Sequence, residues 1–425
     1  MAYDGGKKPH ERASKNGHSH LVTESVRRVL REMESYDDEA VVSTPEVQHE
    51  LHRTSPSSRY ERVVAIDGSF ARVPAGAGSV AFISIGAVAF EMGALRELAT
   101  KRLLDSEDLG VLKGVERWVL ALPVVGMRRR GSESVRDSFR LTLHEAMGES
   151  DHGAPLYDAM EWLLRRGWLE HPESVHVRCV MCDEENFLPP GLTAVRCEGC
   201  DREVFLVDSL GLHVAVEQGR EAASNVMTMM EQLVLVHLYL RYHEDLGALE
   251  RTLFIKDGPL SFFKLRVLSE PMVEYARWVR RNGHSRRLSM IGFTKSGYDV
   301  RTAVELVERY DVQPGSVVLN AGSAERDEAY ARESHWGAPV VIRNTDGAIF
   351  AASVPTGRRK RRGSAYEVED YLNLEDIAAT LGELVCTRYD DALLPIALIN
   401  ELVSISTYPG ERMLANLLRE EIGVN

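Results

Sequence analysis

The sequence has few cysteines, no long apolar run and no surplus of positive charge. Five cysteines in 425 residues exclude a fold stapled throughout by disulfides. No stretch approaches the ~20 apolar residues of a membrane span, and the first residues show no apolar signal region, so a cytoplasmic chain without membrane association is expected. The formal net charge is −13, from 51 Lys and Arg against 64 Asp and Glu. That balance speaks against coating nucleic acid through bulk charge, though not against an enzyme with local basic patches. What is present is ordinary for a globular chain: 44% hydrophobic and 27% charged residues, at a length that allows two or three domains.

Four of the five cysteines fall into one pattern. Cys179-Val180-Met181-Cys182 and Cys197-Glu198-Gly199-Cys200 are two C-x-x-C pairs separated by 14 residues. This is the spacing of a structural zinc ribbon; four thiolates close the tetrahedral shell of Zn²⁺ and leave no open position for catalysis. The remaining Cys386 reads as a core residue.

Two other stretches resemble each other. Val63-Val64-Ala65-Ile66-Asp67-Gly68-Ser69 and Leu253-Phe254-Ile255-Lys256-Asp257-Gly258-Pro259-Leu260 are apolar runs that end in Asp-Gly. Each reads as a buried strand whose carboxylate stands at its end, with the glycine permitting a sharp turn. Asp-Gly is also a common turn signal. As a pair on two apolar strands, Asp67 and Asp257 suit a hard divalent cation such as Mn²⁺ or Mg²⁺.

The rest of the chain supplies a frame. Residues 1–20 are a polar tail with His10, His18 and His20. A helix follows over 21–33, then a linker to residue 60. Residues 63–69 and 79–90 read as a hairpin and 110–170 as helical, either a winged-helix-like unit or a small helical insert packing on the main domain. Residues 203–207 and 212–216 read as a second hairpin, and 219–244 as one long buried helix. Glu231 lies inside that helix's apolar run and needs a partner there, either a metal or a basic group. A strand over 289–294 ends at Lys295, which could meet a phosphate or be a solvated strand-end lysine. Arg358, Arg359, Lys360, Arg361 and Arg362 form a basic block, readable as a phosphate-contacting loop on DNA or as a mobile charged loop. Residues 394–404 read as helical.

Ile66-Asp67-Gly68-Ser69 and Ile255-Lys256-Asp257-Gly258-Pro259-Leu260 resemble the two aspartate motifs of the NurA nucleases. In the family's order follow Met290-Ile291-Gly292-Phe293-Thr294-Lys295 and Leu394-Pro395-Ile396-Ala397-Leu398-Ile399-Asn400-Glu401-Leu402. The resemblance covers roughly 55–110 and 205–425. It implies an RNase H-like mixed α/β sheet flanked by helices. It also implies a two-metal DNA nuclease that works as a homodimer on a hexameric HerA-type ATPase, in DNA repair or anti-phage defence. On this reading Asp67, Glu231 and Asp257 bind the metals, with Glu221 as the alternative glutamate, and Lys295 contacts the phosphate. Asn400 stands where the family carries a histidine; His284 and His335 are the other histidines considered.

The expected organisation is a tail, helix and linker (1–55), a first nuclease part (56–110), a helical insert (111–175), the zinc ribbon (176–203) and a second nuclease part (204–425). A DNA-binding adaptor that has lost activity, or another RNase H-like nuclease, is the alternative.

Overall fold

The structure is a computed structural model and describes residues 48–50, 59–101, 110, 114–148, 155–319, 334–358, 366–385, 392–406 and 409–423. The sequence expectations for residues 1–47, for Cys386 and for Arg359, Lys360, Arg361 and Arg362 lie outside the described residues.

Thirteen described strands are β1 (Gln48–Glu50), β2 (Arg62–Ala75), β3 (Gly78–Glu91), β4 (Glu116–Val124), β5 (Val175–Arg178), β6 (Glu185–Leu188), β7 (Ala194–Arg196), β8 (Glu203–Phe205), β9 (Thr252–Asp257), β10 (Met290–Thr294), β11 (Ser316–Leu319), β12 (Gly337–Arg343) and β13 (Ile349–Pro355). Nine of them make one mixed sheet in the order β1-β11-β12-β13-β10-β9-β2-β3-β4. β2, β3 and β4 form an antiparallel meander, and β9 and β10 then add in parallel beside β2. An antiparallel meander extended by two parallel strands on the side of its first strand is the RNase H-like arrangement. The expected fold class is thus what the chain forms.

The sheet is central because its strands alternate towards two cores. Val64 and Ile66 of β2 belong to one cluster, and Val63 and Ala65 to the other. The first face is covered by α2 (Val135–Gly148), α3 (Tyr157–Leu164), α4 (Arg220–Arg241) and α6 (Arg266–Arg281). The second is covered by α1 (Met92–Thr100), α8 (Leu374–Glu383) and α9 (Leu394–Val403). Between these in the sequence lie α5 (Leu246–Glu250) and α7 (Tyr298–Arg309), and α10 (Gly410–Ile422) follows. Every residue of α4 from 228 to 239 is buried. A helix apolar on all sides needs cover on all sides; β2 and β3 lie on one flank and α3 on another. No helix among the described residues is long and apolar enough to cross a membrane.

Three local expectations are corrected. β2 does not end in a turn at Asp67 and Gly68 but runs to Ala75, because its pairing with β3 continues unbroken, so Asp67 stands in mid-strand. Residues 116–124, read as helical, are the edge strand β4. Trp118, Leu120, Leu122 and Val124 are buried while Arg117, Val119 and Ala121 are exposed, and this two-residue period is the signature of a half-buried strand. The hairpin expected over 203–216 is not formed. β8 pairs back with β7 instead, and Leu206–Leu210 and Leu212–Gln218 are 3₁₀ helices. Arg140 decides this local path: it makes two bonds to buried Asp208, at 2.7 and 2.5 Å, and a third to the Glu203 carbonyl.

Candidate active site

Asp67 and Asp257 stand on adjacent parallel strands. The β2–β9 register pairs Ile66 with Lys256, so the aspartates follow in step, one on each strand. Asp67 is buried, with 1% of its surface exposed, and its Oδ1 accepts the Gly68 N–H at 2.8 Å. Lys295, one residue beyond β10, bridges the two. Its Nζ lies 3.1 Å from Asp67 Oδ2 and 3.0 Å from Asp257 Oδ2 and donates to Asn400 Oδ1 at 3.0 Å. Three oxygens from three elements thus surround one cation.

The electrostatics follow from this crowding. Burial and the Asp257 carboxylate push Asp67 up to about 7; Lys295 pulls the other way and Glu231 pushes up again. Burial alone would lower Lys295, but Asp257 and Asp67 outweigh it and hold the ammonium above its ordinary value. At neutral pH Lys295 is therefore a firmly charged group.

The backbone around the pair is fixed from several sides. Gly258 has φ +74, a conformation glycine adopts without strain, and its N–H donates to the Phe293 carbonyl at 2.7 Å. The Leu260 N–H donates to Ser353 Oγ at 2.7 Å. Gln232, fully buried, donates to the Pro259 carbonyl at 3.1 Å and accepts from Trp336 Nε1 at 3.1 Å. Asn400 is positioned by α9, whose Ile399 and Val403 lie against Gly86 so closely that a Cβ there would clash with both. Sequence reading had no signal for Gln232 or Ser353, whose partners are remote in the chain.

Glu231 reaches the same region but is otherwise engaged. Its Oε2 lies 2.7 Å from Lys256 Nζ, with 5% and 3% of the two side chains exposed. Lys256 also hydrogen-bonds the Asp257 carbonyl. Glu231 Oε1 approaches β2 so closely that a Cβ on Gly68 would lie 2.6 Å from it. Burial raises the Glu231 pKa and Lys256 opposes the rise. Of the two partners expected for this carboxylate, the structure supplies the basic one. Lys256 was missed, although a lysine inside an apolar strand signals a buried counter-charge. Among the described residues, the group of three or more His, Cys, Asp or Glu side chains placed to hold a metal ion is the four cysteines, not the carboxylates of this site.

The other expected residues are separate. Glu221 pairs with Lys264 at 2.6 Å on the exposed first turn of α4. His284 lies beside Trp278, and His335 beside Phe263. Arg358, the described member of the basic block, pairs with Asp370 at 2.9 Å.

An oxygen-rich cation position fits Mn²⁺ or Mg²⁺ in donor chemistry. Asp67, Asp257 and Asn400 fit once the Lys295 ammonium withdraws from between them. Glu231 fits only after releasing Lys256.

The four cysteines form a distinct centre. Their sulfurs lie within 4.8 Å of one another, which suits a four-thiolate Zn²⁺ site. The two knuckles repeat one backbone pattern. Cys179 and Cys197 donate their N–H to the carbonyls five residues on, and their own carbonyls accept from Asp183 and Asp201. Both aspartates have positive φ, 63 and 57. β5 and β6 flank the first knuckle, and β7 and β8 the second.

No protein-family model matches the chain, and no curated protein matches it. Among solved structures, the NurA nuclease from Sulfolobus solfataricus is similar over 96% of this chain and 95% of that one, at 11% identity and a TM-score of 0.36. A superposition this loose leaves the fold assignment to rest on the strand order itself.

Proposed function

We propose that the chain is a metal-dependent DNA nuclease. The observation that carries this reading is the convergence of Asp67 and Asp257, on adjacent parallel strands of an RNase H-like sheet, about the single Lys295 ammonium. These carboxylates would hold Mn²⁺ or Mg²⁺, with Asn400 as a neutral oxygen donor and Glu231 joining on release from Lys256. When bound, such ions activate water and neutralise charge at the phosphate. The protein's own part is to place carboxylates in a site dry enough to raise Asp67, and to offer Lys295 as a charged donor to a phosphate oxygen. From the motif resemblance the reading extends to a two-metal mechanism, a homodimer and a HerA-type ATPase partner in DNA repair or anti-phage defence, with Arg358 and the rest of its basic block on DNA.

A second reading has its own support. Lys295 neutralises Asp67 and Asp257, and Lys256 neutralises Glu231, so the carboxylates are satisfied without metal. That suits a DNA-binding adaptor. The test is cleavage of labelled linear DNA in Mn²⁺ beside a binding assay, for the parent and for Asp257→Asn. The nuclease reading expects D257N to bind as the parent does and cut nothing. A parent that binds but does not cut in Mn²⁺ or Mg²⁺, even with its ATPase, gives the adaptor reading.

A further inference from the structure

One end of the β2–β3 hairpin gathers arginines that the described structure leaves unneutralised. β2 presents Gly68, Phe70 and Arg72 in alternation to the side of α4. Gly68 lies under Glu231, the Arg220 guanidinium stands 5.9 Å from the Phe70 ring centroid, and the Arg72 side chain comes within 3.3 Å of where Gly219 would carry a Cβ. The row runs along the α4 side of β2, from Gly68 beside Glu231 to the hairpin end, while Asp67, opposite Gly86, turns its side chain to the α9 side; the five residues from Asp67 to Arg72 span about 17 Å.

At that end the chain leaving β4 is fastened to the hairpin. The Val125 carbonyl accepts the Ser79 N–H at 3.0 Å, and the Met127 side chain comes within 2.8 Å of the Cβ position on Gly78. Val125 takes φ 33, a strained value for a β-branched residue. This sets Arg128, Arg129 and Arg130 beside the hairpin, with Arg136 entering α2 next to them. Arg72, Arg128, Arg130, Arg136 and Arg220 are exposed, and among the described residues none forms an ion pair. Three neighbouring carboxylates are taken: Glu133 by Arg202, Asp137 by Arg140 and Glu145 by Arg129. In a chain of net charge −13, where exposed arginines such as Arg178, Arg196 and Arg251 do find carboxylates, five guanidiniums on one rim with no ion pair among the described residues form a binding surface for an anion.

We propose that this rim is a track for the phosphate backbone of a nucleic-acid strand, and that it leads the strand to Asp67 and Asp257. The second clause rests on the nuclease reading. Guanidinium forks match phosphate oxygens in pairs. The ~17 Å from Arg72 to Asp67 is about five stacked nucleotides.

The experiment measures binding of a labelled linear DNA to the full chain in EDTA, where cleavage plays no part, over a range of salt. Removing two phosphate contacts with R128Q/R130Q lowers the slope of log affinity against log salt by about 1.8. From about 50 to about 200 mM salt the parent then weakens about twelvefold more than the variant. R72Q/R220Q repeats the readout from other segments, so misfolding of one pair leaves the test intact. R178Q/R196Q, on the zinc ribbon, should leave the slope unchanged. Equal slopes for the parent and both rim variants overturn the proposal, as does a loss no larger than that of the ribbon control. A parent that binds no DNA overturns both this proposal and the nuclease reading. Weakened rim variants of a parent that cuts nothing in Mn²⁺ support the track and refute the nuclease.

Discussion

Replacing Lys256 with methionine leaves a carboxylate alone between α4 and β9. In the parent the two charges are 2.7 Å apart and almost wholly out of water. Breaking such a pair by removing one partner costs about 3–5 kcal/mol, because the remaining charge keeps its desolvation penalty. The loss depends on pH in a definite direction. Burial holds the Glu231 pKa above the ordinary carboxylate value and Lys256 offsets part of that, so without Lys256 the pKa stays high. Above the unfolded value of about 4.3 the unfolded chain gives up the proton that native Glu231 keeps. Stability therefore falls as pH rises through the native pKa and returns on acidification. Urea unfolding of the parent, K256M, E231Q and K256M/E231Q at about pH 5 and about pH 8 reads this out. K256M should show its full deficit at the higher pH and a smaller one at the lower, and K256M/E231Q should recover much of it. A K256M protein within about 1 kcal/mol of the parent at the higher pH, or a double variant no better than either single one, refutes the pairing and returns Glu231 to the metal shell.

Other outcomes follow from the same geometry. Elemental analysis should find one zinc per chain, and Cys197→Ser should open the ribbon to proteolysis; freshly purified protein without zinc contradicts the four-thiolate site. Asp67 sits at about 7 without metal. Between about pH 4 and that value the native state keeps a proton the unfolded chain releases, so its ionisation lowers stability as pH rises, and Asp67→Asn should flatten that stretch of the stability profile. A bound cation must displace the same proton, so calorimetric Mn²⁺ affinity should increase from about pH 6 to about pH 8 in the parent but not in D67N. Gly86→Ala pushes on Val403 and Ile399; unfolding should show a loss of about 1–3 kcal/mol, with cleavage falling further because α9 carries Asn400.

What the sequence revealed depended on how local the deciding interactions are. The hairpin of β2 and β3, the long helix α4 and the four cysteines carry their signals within a few residues, and all appear where periodicity or spacing places them. Asp257 and Lys295 were legible as strand ends, whereas Asp67, read as one, stands in mid-strand because β2 pairs with β3 without a break past Gly68; the fold brings the three together. Glu231 was legible as a buried carboxylate but not as the partner of Lys256, because the parallel register that sets Lys256 beneath α4 joins residues far apart in the chain. β4 was missed because its alternation is short and its sheet position depends on nine backbone pairs with β3. Arg358 looked free in a basic run, yet its counter-charge, Asp370, lies beyond the end of that run.

The β2–β9 pairing has a consequence for how the chain reaches this structure. Ala65 meets Ile255 only after about 190 residues of intervening chain, a separation that makes strand association slow. As the chain leaves the ribosome, β2 emerges long before β9 exists and offers an open backbone edge in the meantime. Within that interval the four cysteines are placed so that a zinc ion would tie residues 179 and 200 together. Zinc bound there would shorten the effective loop that must close before the two aspartates can stand side by side. Metal supply during synthesis would thus set how long the unpaired edge is exposed to aggregation, apart from any effect on the finished protein.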